Sequence, residues 1–124
     1  MFENAPSVPF QLDENTHGGF SEVKGLLSLD GDYLVIEYRP VFLGLFKMAM
    51  KEIDIPLADI RSMTFDSKLF GAYNRLTIRT RTQSVLEGFP GASQGRLRMT
   101  IKRVDREEAD ELADLVEIRA GGSR

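Results

Sequence analysis

The densest chemistry in this chain lies between Arg75 and Arg103. Seven bases (Arg75, Arg79, Arg81, Arg96, Arg98, Lys102 and Arg103) face a single acid, Glu87. Arg75, Arg79 and Arg81 sit at even spacing in one alternating stretch, and Arg96 and Arg98 in another. On strands each set shares a face. Guanidinium groups stay charged and offer a planar fork to carboxylate or phosphate. Arg75, Arg79, Arg81, Arg96 and Arg98 are therefore the candidate face for an anion or an acidic partner. The plainer reading is a solvated outer face, with long stems covering apolar surface and exposed ion pairs worth about 0–1 kcal/mol. Nucleic acid fits less well, because only Tyr73 and Phe89 lie near enough to stack on bases.

A second candidate is the apolar run from Val41 to Phe46. Phe42, Leu43, Leu45 and Phe46 fall at the expected tip of a hairpin, flanked by Arg39 and Lys47. Turned inward they would floor a barrel. Turned outward they would make a contact patch for a second copy or another protein, or dip shallowly into a membrane.

Catalytic and metal-binding sets do not assemble. The chain has no cysteine and one histidine, His17, beside two glycines. Zinc sites of the usual donor sets need more. A serine triad would have to recruit His17. Gly91-Ala92-Ser93-Gln94-Gly95 is glycine-rich, but it lacks the lysine and the helix of a phosphate loop. Asp30/Asp32 and Asp54/Asp59 are acid pairs of the kind common on solvated turns. The sequence points to a non-enzymatic protein with no cofactor and no metal.

The elements that must hold these residues follow from periodicity. Phe20 to Leu29 and Tyr33 to Phe42 alternate about Asp30-Gly31, a hairpin turn pair. Val23, Gly25, Leu27 and Leu29 share one face; Leu34, Ile36 and Tyr38 share another. Lys47 to Ile55, Ile60 to Asp66, Tyr73 to Thr82, a short piece at Ser84 to Phe89, and Arg96 to Arg103 continue the strand pattern. Gly88 to Gly95 reads as a mobile loop. From Val104 to Gly121 the period changes. Ala109, Leu112, Ala113, Val116 and Ala120 make a narrow helical stripe, opposite Glu107, Asp110, Glu111, Asp114 and Glu117. Asp105 and Glu108 fit a capping box, Val104 a staple onto Ala109, and Gly121-Gly122 a stop. Residues 1–19 are polar, with Pro6 and Pro9, and read as a flexible arm in which Phe10 and Leu12 add at most a short edge strand. Residues 20–121 form one domain and residues 122–124 a tail.

With 124 residues and a net charge of −3 from 16 bases and 19 acids, the chain fits a single soluble, cytoplasmic domain. It shows no membrane span and no secretory signal. The net charge conceals a segregation: seven bases and one acid from 75 to 103, then seven acids and two bases from Asp105 to Arg119. About seven short antiparallel strands followed by one helix imply a partly open barrel or orthogonal sandwich, capped by the C-terminal helix.

That order resembles the pleckstrin-homology-like superfold, including its bacterial and GRAM-like members. The phrase Ile55-Pro56-Leu57-Ala58-Asp59-Ile60-Arg61-Ser62-Met63 is similar to the connector such modules carry before a strand. The resemblance covers about Phe20 to Ala120. It implies a binding scaffold that mediates protein–protein interaction or self-association, with peripheral binding of anionic lipid as the alternative. Lipid-binding members use a basic pair around the first hairpin loop. Here that loop is Leu29-Asp30-Gly31-Asp32, which is acidic and argues against a phosphoinositide bound by that route.

Overall fold

The computed structural model describes residues 6–12, 21–42, 46–47, 50–67, 74–87, 89 and 92–121, without the side chains of 21–22, 40–42, 46–47 and 121. The fold is mainly β with one C-terminal helix. The strands are β1 (Val8–Leu12), β2 (Ser21–Asp30), β3 (Tyr33–Phe42), β4 (Phe46–Lys47), β5 (Lys51–Pro56), β6 (Ile60–Ser67), β7 (Asn74–Thr80) and β8 (Arg96–Ile101). They form one antiparallel sheet in the order β4-β3-β2-β1-β8-β7-β6, with β5 also paired to β3. The sheet is open between β5 and β6, which a 3-10 turn at Leu57–Asp59 joins.

Alternation drives the curl. Val8, Phe10, Leu12, Val23, Leu27, Leu34, Ile36, Ile55, Met63, Leu76, Ile78, Leu97, Met99 and Ile101 all point to one buried cluster. A sheet whose inner faces meet in one core must wrap around it. Burying each large side chain contributes about 1.5–3 kcal/mol before conformational entropy is subtracted.

The helix α1 (Arg106–Gly121) lies along β6, the edge strand of that order. Ala109, Leu112, Ala113 and Val116 are buried in the common core, with Leu115 and Ala120 half-buried. Glu117 reaches across, and its carboxylate accepts the Met63 backbone N–H at 2.8 Å. An edge strand with unpaired N–H groups invites a second chain; here the helix occupies that side.

Four local expectations change. Val8–Leu12 is neither an arm nor an edge strand: it pairs with β2 over its whole length and meets β8 at Gln11↔Thr100, in the middle of the sheet. Gln83–Leu86 is a 3-10 turn, not a strand, and it buries Leu86. Val104 does not staple onto Ala109. It is 79% exposed, and the helix starts through a 3-10 turn at Arg103–Asp105 whose Asp105 N–H bonds the Lys102 carbonyl. The third strand falls in two pieces, β4 and β5, both paired to β3.

Two turns set strand registers. The β2–β3 loop is Gly31-Asp32, with Gly31 at φ +61°, the arrangement of a type II′ turn. Ahead of β8, Ser93 and Arg96 exchange both backbone bonds, at 2.9 and 3.0 Å, around Gln94 (φ +56°) and Gly95 (φ +75°). Two positive φ angles in succession make a type I′ hairpin turn. The end of the stretch expected to be a mobile loop is thus a tight turn.

Candidate functional site: an arginine face on the outer sheet

In β7, Asn74, Leu76, Ile78 and Thr80 are buried and Arg75, Thr77 and Arg79 face outward; in β8, Leu97, Met99 and Ile101 are buried and Arg96, Arg98 and Thr100 face outward. The register sets Arg79 opposite Arg96, Thr77 opposite Arg98 and Arg75 opposite Thr100. On the other side of β7, β6 places Ser62 opposite Arg79 and Asp66 opposite Arg75. Buried polar residues pin both ends of β7. Asn74 accepts from the Ser67 hydroxyl at 2.7 Å, and the Thr80 hydroxyl donates to the Thr82 carbonyl at 2.8 Å.

The five candidate arginines divide. Arg79, Arg96 and Arg98 are exposed and, among the described residues, make no side-chain hydrogen bond or ion pair. Arg75 is half-buried, faces Asp66 and has a partner. Arg81 is drawn away from the face: its N–H bonds the Asp59 carbonyl at 2.8 Å and its Nε donates to the Ala58 carbonyl at 3.2 Å. It ties the 3-10 turn between β5 and β6 to the end of β7. With the Thr82 hydroxyl donating to the Asp59 carboxylate at 3.0 Å, that is a structural clamp. The candidate face therefore contracts to Arg79, Arg96 and Arg98, ringed by Ser62, Thr64 and Thr77.

Directly opposed like charges on a sheet cost stability. Three uncompensated guanidinium groups within two strands present a fixed positive field with hydroxyl donors around it. The surface can hold carboxylates or phosphates by charge-assisted hydrogen bonds. No exposed large apolar side chain shares it: among the described residues these are Tyr33, Met50, Val104 and Ile118.

Other candidates fare differently. The apolar tip falls largely outside the described residues. The backbone pairs Phe42 with Phe46; their side chains, and Leu43 and Leu45 entirely, lie outside them. His17 does too. The first hairpin loop is as acidic as its sequence. Across the same end of the sheet, Glu37 opposes Glu52, and Asp54 shares the strand. The Glu52 carboxyl is held above its ordinary pKa, first by a hydrogen bond with Asp54, then by the charge of Asp54, with smaller contributions from desolvation and the charges of Glu37 and Asp30.

Gly91-Ala92-Ser93-Gln94-Gly95 also has the glycine-x-serine-x-glycine spacing of a nucleophile elbow. An elbow is a strand–turn–helix junction. Ser93 instead opens a hairpin turn that runs straight into β8. It borders an open cleft of about 360 Å³ with Gln83, Ser84, Glu87 and Gln94, a lining with no histidine or lysine. The described residues contain no group of three or more metal-ligating side chains, and no helix among them is long and apolar enough to cross a membrane.

A scan against protein-family models, a search of curated proteins and a search of solved structures each find no match.

Proposed function

We propose that this protein is a non-catalytic binding module of pleckstrin-homology-like architecture, and that its working surface is the Arg79–Arg96–Arg98 face, which takes an acidic protein surface. The observation that carries the reading is that those three arginines on adjacent strands, two of them directly opposed, make no side-chain hydrogen bond or ion pair among the described residues. The strand order, the open seam between β5 and β6 and the C-terminal helix packed on the core support the architecture.

The face favours a protein over a lipid surface. Peripheral membrane binding combines bases with apolar or aromatic side chains that enter the interface, and among the described residues no exposed large one stands beside these arginines. Carboxylate side chains on a partner match the guanidinium fork one to one.

The test is fluorescence anisotropy of a labelled oligo-glutamate peptide with the whole chain. Binding should weaken steeply between about 50 mM and 500 mM salt as the screening length shortens. It should be lost in the variant Arg79→Thr/Arg98→Thr, with secondary structure unchanged by circular dichroism. Unchanged binding in that variant sinks the assignment of the face. Binding to phosphatidylcholine–phosphatidylserine vesicles, with none to the peptide, would replace the protein reading with the lipid one.

A further inference from the structure

The face has an acidic counterpart on the same molecule. On α1, Glu107, Asp110, Glu111 and Asp114 are all exposed and, among the described residues, their side chains make no hydrogen bond or ion pair. Spacings of three and four residues place them on one ridge, which Ile118, 65% exposed, extends. The other acids of the helix are differently placed: Glu117 bonds the Met63 N–H, and Glu108 lies off the ridge. Helical rise sets Glu107 and Asp114 about 10 Å apart. Across the sheet, Arg96 and Arg98 are about 7 Å apart along β8, and Arg79 is about 5 Å from Arg96 across the strands. The two charged areas match in size and are opposite in sign.

They cannot meet within one chain. The inner sides of β7 and β8, with Leu76, Ile78, Leu97 and Met99, face the core, and so do Ala109, Leu112, Ala113 and Val116 of the helix. The arginine face and the acidic ridge point away from that shared core in different directions. Among the described residues each is left without a counter-charge.

We propose that the occupant of the arginine face is a second copy of this chain, docking the Glu107–Asp110–Glu111–Asp114 ridge of its helix. This rests on the reading of the face given above and names its partner. The contact is heterologous, because the two surfaces differ. The bound pair still presents one free arginine face, on one copy, and one free ridge, on the other, so assembly continues head to tail rather than closing as a two-fold dimer. Its strength comes from exposed charge, so it is concentration-dependent and falls with salt.

Analytical ultracentrifugation of the full chain tests this with two variants, Arg79→Thr/Arg98→Thr and Asp110→Lys/Asp114→Lys. The wild-type sedimentation coefficient should rise with concentration at about 50 mM salt, and the association constant should fall at least about tenfold at about 500 mM. Each variant alone should remain monomeric, with its thermal unfolding checked. An equimolar mixture of the two should form dimers and nothing larger, since one intact arginine face meets one intact ridge. A wild type that stays monomeric at low salt overturns the proposal. So does a variant that associates like wild type, or a mixture that remains monomeric while the wild type assembles. If the wild type stays monomeric but binds oligo-glutamate, only the identity of the partner fails. If it does neither, the face itself is wrongly assigned.

Discussion

Arg79 and Arg96 stand directly across from each other on β7 and β8, both exposed and both without a counter-charge among the described residues. Their repulsion can be measured. Flexible stems let the guanidinium groups stand about 6 Å apart, and two unit charges at that distance in water repel by about 0.7 kcal/mol. With a Debye length of about 8 Å at physiological salt this falls to about 0.3 kcal/mol, and at 1 M salt to about 0.1 kcal/mol. Replacing either arginine by threonine, a good strand residue, should therefore stabilise the monomer while it removes peptide binding. Because threonine also changes strand propensity, the single variants do not isolate the charge effect. A double-mutant cycle does: Arg79→Thr, Arg96→Thr and the pair, each unfolded with urea, a neutral denaturant, at low and at high salt. The coupling should be repulsive, a few tenths of a kcal/mol at low salt, and should vanish at high salt. A favourable coupling, or one indifferent to salt, would mean that the two side chains share an anion or stack on each other. The bare cationic face would then not exist.

Three further outcomes follow from the packing and the acidic end of the sheet. Leu112→Ala, at a fully buried helix position, should cost about 2–5 kcal/mol in urea unfolding, whereas Ile118→Ala on the exposed ridge should change stability by less than about 0.5 kcal/mol; equal effects would mean the helix does not seal the core. Gly25→Ala should destabilise by about 1–3 kcal/mol, since a Cβ there meets the Glu37 carbonyl and the Phe10 ring, and Phe10→Ala should not rescue it because the carbonyl remains. Glu52 has its pKa raised in the fold by Asp54, so its ionised form opposes folding: that cost is full above its folded pKa and gone below the ordinary carboxylate range. Glu52→Gln should accordingly raise the melting temperature at neutral pH and lose that advantage as pH falls below about 4.

What could be read in the sequence was whatever depends on period. Strict alternation in β7 and β8 and the 3-4 spacing in α1 place the charges on definite faces before any tertiary contact is known. What could not be read depends on partners distant in the chain. Arg81 has the parity of the face, yet Ala58 and Asp59 claim it because β5, the 3-10 turn and β6 bring those carbonyls to the end of β7. Arg75 likewise has a partner of its own and lies opposite Asp66, a neighbour only through strand register. Ser84 to Leu86 has strand-like residues, but its backbone bonds are local and 3-10. The type I′ turn at Gln94-Gly95 hid because glutamine seldom takes a positive φ, so the segment resembled an unstructured glycine-rich loop.

The misplaced strand, β1, carries the most instruction. Proline has no N–H to donate, so a proline argues against a central strand. Pro9 nonetheless sits opposite Leu26 in the middle of the sheet. Antiparallel pairing resolves the conflict. Opposed residues alternate between pairs that exchange hydrogen bonds and pairs that do not. Pro9↔Leu26 must be one that does not, which turns the Pro9 nitrogen toward β8. Gln11, two residues on, shares that orientation, and it is the residue that meets β8, at Thr100. The strand is thus bonded to β2 along its length and touches β8 away from the proline. What holds it centrally is side-chain burial: Val8, Phe10 and Leu12 are at most 4% exposed, and Phe10 lies over the one position in β2, Gly25, with no side chain to displace it. Three alternating apolar residues outweigh the missing donor because the register puts that donor where it is not needed.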